Sequence, residues 1–285
     1  MSQTILVTGA SSGIGQATAR LLAGRGFTVF GTARKPQSAQ SQGVTMVPLD
    51  VRSDESVRAC VAQVVAKARG GRLDVLVNNA GYSLTGAAEE TNVDEAKAQL
   101  ETNFFGVVRM VNAVLPGMRA AGAGKIISIS SLAGNTAIPF SAFYSASKFA
   151  LEGYSESLWY EVRPFGISVS LVEPGFVNTP IAEASPAAAR PLPAYDARRK
   201  SMLAAFGHNL EAGIPPEQVA RRVLQIVEHR SPALRYPVGA QATWLPRVRK
   251  VVPWKVYAAR CWSPPTYSAR HSIPRAAPSW ASPSG

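Results

Sequence analysis

The sequence predicts a three-layer α/β/α protein built on a doubly wound parallel sheet. Three observations carry that expectation: short β-branched apolar runs alternate with longer segments of helical spacing, a glycine-rich turn follows the first run directly, and the alternation holds to about residue 174. Strands separated by helices must pair in parallel through crossover connections, and right-handed crossovers distribute the helices over both faces of the sheet.

Taken in order, Thr4–Thr8, Thr28–Thr32, Val44–Leu49, Val75–Asn78, Ile126–Ser130 and Ile167–Val172 read as strands, each a short run bounded by turn residues or helical patterns. Residues 14–24, 54–68, 92–119 and 145–163 read as helices between them. After residue 174 come a Pro/Ala-rich stretch, a basic helix around 194–206, a helix from Pro215 to about His229, and a last strand at Leu234–Val238. Residues 1–262 are expected to form one Rossmann-like domain, with an insertion near 176–214 over the active-site end of the sheet. Residues 263–285, rich in Pro, Ser, Ala and Arg, bury too little apolar surface to offset ordering entropy, and disorder is expected there.

Composition narrows the function classes. The 285 residues are 46% hydrophobic and 17% charged, enough for a full core. Cys60 and Cys261 have neither disulfide-framework nor metal-site spacing, which fits a reducing, cytoplasmic compartment. The chain reaches Ile5 without a charged n-region, so no secretory leader is expected, and no apolar run suits a bilayer span. The net charge of +12 is uneven: residues 1–189 hold 15 Lys/Arg against 14 Asp/Glu, and residues 190–285 hold 15 against 4. No nucleic-acid motif accompanies this surplus, and no nucleic-acid partner is expected. Trp244 to Trp262 mixes basic and aromatic residues, a pattern consistent either with lying on an anionic membrane surface or with packing against the core.

The turn after the first strand reads Thr8, Gly9, Ala10, Ser11, Ser12, Gly13, Ile14, Gly15 and opens the first helix. Glycines there permit a tight turn and close backbone approach to a pyrophosphate, and free N–H groups at the helix start meet its charge. About 17 residues later, where an NAD site offers a carboxylate to the adenosine ribose, the chain has Arg34 and Lys35 instead. A guanidinium suits a 2′-phosphate, so NADP(H) is the expected cofactor.

Tyr144 and Lys148 stand four apart in a helical segment, which puts phenol and ammonium on one face. A neighbouring cation favours phenolate, lowering a pKa near 10 toward a value useful for proton transfer.

Together with these, Leu49, Asp50 and Val51, Asn78 to Gly81, Asn103, Ser130 and Ser131, and Pro174 to Thr179 give seven ordered motifs, and over roughly residues 3–180 the chain resembles the short-chain dehydrogenase/reductase family. The resemblance implies an oxidoreductase moving hydride between NADP(H) and a carbonyl or alcohol. It implies Tyr144 as acid/base, Lys148 as its tuner and holder of the nicotinamide ribose, Ser131 as hydrogen-bonding partner of the substrate oxygen, and Asn103 as holder of a relay water. It places the cofactor against Gly9, Ser11, Ser12, Gly13, Ile14, Gly15, Arg34 and Lys35. It adds Asp50 and Val51 at the adenine, Asn79, Ala80 and Gly81 at the ribose, and Pro174, Gly175, Val177 and Thr179 at the nicotinamide. It also implies a homodimer or homotetramer pairing through 92–119 and 145–163. His208, His229 and His271 lie outside every motif, and no metal is expected.

Substrate choice falls to residues 82–90 and 176–210. Tyr82, Leu84, Phe140, Phe143, Phe176, Ile181, Met202, Leu203 and Phe206 would make an apolar cleft for a lipophilic ketone, aldehyde or secondary alcohol. Looser similarity after residue 215 points toward hydroxysteroid and retinol dehydrogenase relatives. A non-catalytic NADP-binding regulator is the alternative, against which the intact Asn103, Ser131, Tyr144 and Lys148 count.

Overall fold

The computed structural model describes residues 2–261 apart from 69 and 182–184, with no side-chain description for 258–261. The expected disorder of 263–285 therefore falls outside the described residues.

The order of elements is β1 (Thr4–Val7), α1 (Gly13–Gly24), β2 (Thr28–Ala33), β3 (Gln40–Ser41), β4 (Val44–Pro48), α2 (Asp54–Lys67), β5 (Val75–Asn78), α3 (Val93–Leu100), α4 (Gly106–Ala120), β6 (Gly124–Ile129), α5 (Ala142–Val162), β7 (Ile167–Pro174), α6 (Asp196–Glu211), α7 (Pro216–Glu228), β8 (Arg235–Val238), α8 (Ala240–Val251) and α9 (Trp254–Cys261). The described strands join in one sheet of order β3-β4-β2-β1-β5-β6-β7-β8. All neighbours are parallel except β3 and β4. That pair is a hairpin the sequence reading missed, closed by Gln42 (φ 49°) and Gly43 (φ 79°), two left-handed residues in a tight turn.

Period-two alternation sorts the strand residues into two cores. Leu6, Leu76 and Ile126 face one side with Val57 and Val64 of α2, Met110 and Val114 of α4, and Leu151 and Leu158 of α5. Ile5, Val7, Val75, Val77 and Ile127 face the other with Ala19 and Leu22 of α1 and Val219, Val223 and Ile226 of α7. The expected α/β/α layering follows directly. β1 has β2 on one side and β5 on the other. The chain thus leaves the sheet centre in opposite directions, and a crevice opens above the carboxyl ends of these two strands.

The expected helix over 92–119 runs without a gap from 93 to 120 but holds a π turn. Asn92 caps α3 through a reciprocal box with Glu95, but Glu101–Phe105 form a π turn before α4 begins. Periodicity alone does not show such a turn, because it inserts backbone without changing the apolar character of either flank. Pro246 lies inside α8 and Pro253 separates α8 from α9. No helix among the described residues is long and apolar enough to cross a membrane.

Candidate active site

Gly9 and Gly13 adopt φ values of 67° and 53°, which only glycine reaches without strain. Space is as restrictive as angle. A Cβ on Gly9 would lie 2.9 Å from the Ala80 Cα, and one on Gly15 would lie 2.2 Å from the Gly9 carbonyl oxygen. Asn79 Nδ2 donates to the carbonyls of Thr8 and Gly9 at 2.9 and 3.0 Å, while Thr8 Oγ1 accepts from the backbone N–H groups of Asn79 and Ala80. The loops after β1 and β5 are therefore stitched together. Ser12 starts α1 without a side-chain cap bond, so the first-turn N–H groups remain available to an anion.

A cleft runs from this turn across the sheet top, lined by Gly9, Ser11, Ser12, Gly13, Ile14, Arg34, Asp50, Val51, Asn79, Ala80 and Gly81. Gly15 is buried beneath the turn. Lys35 is exposed and outside the lining, because the chain bends away after Arg34. No carboxylate pairs with Arg34 among the described residues. Asp50 makes a bidentate pair with Arg52, at 2.9 and 2.6 Å, and that hydrogen bonding holds its carboxyl down at about 2. Arg52, two residues beyond Asp50, also lines the cleft and was missed from the sequence. A glycine cradle without room for Cβ atoms, a free helix start and an unpaired guanidinium fit a phosphorylated dinucleotide.

At its inner end the cleft meets an apolar pocket that contains Ser131, Tyr144, Lys148 and Asn103 together. Ser131 caps the short 3-10 turn at Leu132–Gly134, its Oγ accepting from the Ala133 N–H at 3.1 Å. Tyr144 is in the first turn of α5 and Lys148 one turn further. Lys148 Nζ lies 5.7 Å from the Tyr144 ring centroid and donates to the Ile129 carbonyl at 2.8 Å. Burial brings the Lys148 pKa down to about 8, opposed by Glu152. Tyr144 departs from the sequence expectation: burial raises its pKa, opposed by a hydrogen bond with Ser131. Asn103 sits in the π turn, its Oδ1 accepting from the Tyr82 N–H and its Nδ2 donating to the Tyr82 carbonyl at 2.9 Å and to Ser147 Oγ. The side chain thereby fixes the loop that follows Gly81.

Behind this face lies a buried acidic pair. Ser130 donates to Glu152 at 2.5 Å, and Arg235 reaches Glu152 at 3.0 Å, Glu156 at 2.6 Å and Glu173 at 3.6 Å. Burial, then the neighbouring Glu152 charge, pushes Glu173 up to about 7.

Pro174, Gly175, Val177 and Thr179 line the pocket, as do Tyr82, Phe176, Ile181 and Phe206 from the expected apolar set. Five of that set do not. Leu84 is buried in the core; Phe140, with φ 57°, turns its ring edge toward Tyr195 at 6.3 Å. Leu203 is 42% exposed on the outer side of α6, and Phe143 and Met202 are likewise absent from the lining. Leu132, Ile138 and Leu210 take their place. The segment that leads into α6 is fastened by Glu90, which accepts from the backbone N–H groups of Ala87 and Leu192, each at 2.8 Å, and pairs with Arg199.

A profile described as short chain dehydrogenase matches residues 3–190. The chain belongs to the short-chain dehydrogenase family. It is an oxidoreductase of that family, with the family's parallel sheet flanked by helices. This short-chain dehydrogenase is 42% identical over 259 residues to a 3-ketodihydrosphingosine reductase of Bacteroides thetaiotaomicron, covering 86% of this chain and 93% of the relative. Human retinol dehydrogenase 8 is 43% identical over 190 residues, covering 62% of this chain and 60% of that one. Among solved structures, an actinorhodin polyketide ketoreductase variant with NADPH superposes with a TM-score of 0.73 at 31% identity, over 85% of this chain and 97% of that one.

Proposed function

We propose that this short-chain dehydrogenase uses NADPH to reduce a lipophilic ketone or aldehyde, with Tyr144 as the general acid. The carrying observation is the meeting of the Arg34 cleft with an apolar pocket at Ser131, Tyr144 and Lys148. Bound NADPH would supply the hydride. Arg34 selects the 2′-phosphate, with Arg52 and Asp50 bordering the adenosine side and Gly9 to Gly15 admitting the pyrophosphate. Thr179 and Val177 wall the junction of the two cavities.

The rest of the chemistry belongs to the chain. Ser131 Oγ accepts from the Ala133 N–H and hydrogen-bonds Tyr144; with substrate present its O–H turns to the substrate oxygen, where negative charge develops. Tyr144 transfers its phenolic proton to that oxygen. A raised Tyr144 pKa keeps the phenol protonated at neutral pH, the form a reduction requires. Lys148, held by Ile129, stabilises the phenolate left behind and lets it be reprotonated. Asn103, through Tyr82, keeps the pocket entrance in register. The apolar lining, with the names of the two curated relatives, supports a lipophilic substrate; the ketoreductase structure supports NADPH. Exposed Phe105, in the π turn before α4, and Tyr160 of α5 support pairing of subunits through 92–119 and 145–163.

The experiment is NADPH oxidation, followed by near-ultraviolet absorbance, against carbonyl compounds graded in size and lipophilicity. Tyr144→Phe is expected to lower kcat by about 10²–10⁴-fold with NADPH binding retained. Equal turnover in the variant would remove Tyr144 from the chemistry.

A further inference from the structure

The last two helices carry a surface that the reaction does not use. On α8, Trp244 (63% exposed), Arg247, Val248 and Val251 (81% exposed) point outward; at i, i+3, i+4 and i+7 they form one stripe. The orientation is inverted relative to an ordinary surface helix. Ala242 is buried, and Arg249 turns inward, its guanidinium bonded to the Asn135 carbonyl and 5.8 Å from the Phe149 ring centroid. Trp254, Lys255 and Val256 of α9 extend the exposed surface, while Tyr257 is buried. The sequences of α8 and α9 hold Arg247, Arg249, Lys250, Lys255 and Arg260 and neither Asp nor Glu. The outward apolar and aromatic stripe therefore lies on two helices whose charged residues are all basic.

That combination discriminates among partners. A second copy presenting the same stripe would bring like charges together. A nucleic acid would satisfy the cations but give Val248 and Val251 nothing to bury against. An anionic bilayer offers phosphates to the cations and an apolar layer to the tryptophans and valines. We propose that the α8–α9 surface docks this protein onto an anionic lipid bilayer. The start of α8 packs on the catalytic pocket: Gln241 and the Ala242 nitrogen are 3.5 and 3.6 Å from the position a Cβ on Gly175 would take. Docking would hold the pocket close to the membrane surface, so that, on the lipophilic-substrate reading above, substrate enters from the lipid phase.

The test is co-sedimentation of the full chain with phosphatidylcholine vesicles, with and without roughly one third phosphatidylglycerol, at low and high salt. The expected result is binding to the anionic vesicles at least about tenfold stronger than to neutral ones, weakened by salt. Val251→Asp, at a largely exposed position, and Arg247→Glu with Lys255→Glu should each lower it about tenfold. Folding is checked by NADPH binding and thermal melting. Absence of binding, equal binding to both vesicles, or unchanged binding by the variants would each overturn the proposal. So would preference for a DNA oligomer, or a concentration-dependent dimer that Val251→Asp dissolves. Vesicle binding is read without turnover, so failure here is separate from failure of the reductase reading.

Discussion

Ser130 donates a 2.5 Å hydrogen bond to Glu152, which stands one helical turn beyond Lys148. Ser130 lies between Ile129, whose carbonyl holds the Lys148 ammonium, and Ser131. One carboxylate therefore braces the strand end from which Ser131 and Lys148, both proposed to act in catalysis, are positioned.

Glu152→Gln is expected to lower kcat by on the order of tenfold to a hundredfold while leaving NADPH affinity nearly unchanged. Glu152→Ala should also cost about 3 kcal/mol of stability, since it removes a partner of Arg235 and leaves Ser130 unpaired. Steady-state kinetics and chemical denaturation separate the two. A fall in NADPH affinity matching the fall in kcat would indicate collapse of the site instead of loss of positioning.

Glu173 makes stability depend on pH. Its folded pKa is raised from 4.5 to about 7 by burial and by Glu152, against the opposing influence of Arg235 and Asn135. Between those values the folded protein keeps a proton that the unfolded chain has released. Its contribution is complete below pH 4.5 and is lost as pH rises through about 7. Glu173→Gln should flatten the decline of Tm across that window. An unaltered slope would place the titration on another group.

Arg34→Asp should sharply weaken NADPH binding, by on the order of a hundredfold as a charge-assisted contact becomes repulsive, and bring NADH closer. Fluorescence titration with both cofactors gives the ratio directly. An unchanged preference would move 2′-phosphate recognition away from Arg34.

Gly15→Ala tests the fit of the turn. Its Cβ would meet backbone at 2.2 Å, so the loops after β1 and β5 must separate. Stability should fall by about 1–3 kcal/mol, and cofactor affinity should fall with it. Retention of both would mean that the turn yields.

Most of the fold was legible because the β-branched runs of β1, β5, β6 and β7 are short, buried and bounded by turns. β3 escaped because two residues give no period to read, and the π turn at Asn103 because backbone register leaves no apolar signature. The residues proposed as catalytic were legible as chemistry at fixed spacing. The pocket wall was less so: Ile138 lines it and Phe140, two residues on and in a left-handed backbone conformation, does not. Arg52 and Glu152 were readable in principle, one beside Asp50 and the other four residues after Lys148, but their importance appears only once β4, β6 and α5 are assembled.

The grip of Glu90 on Leu192 and Arg199 joins parts of the chain 102 and 109 residues apart. The hydrogen bonds that tie the dinucleotide turn to its neighbours span residues 8 to 80. The substrate wall and the turn therefore hang on separate hydrogen bonds, and a substitution at Glu90 is expected to alter selectivity among carbonyl compounds before it alters nucleotide affinity.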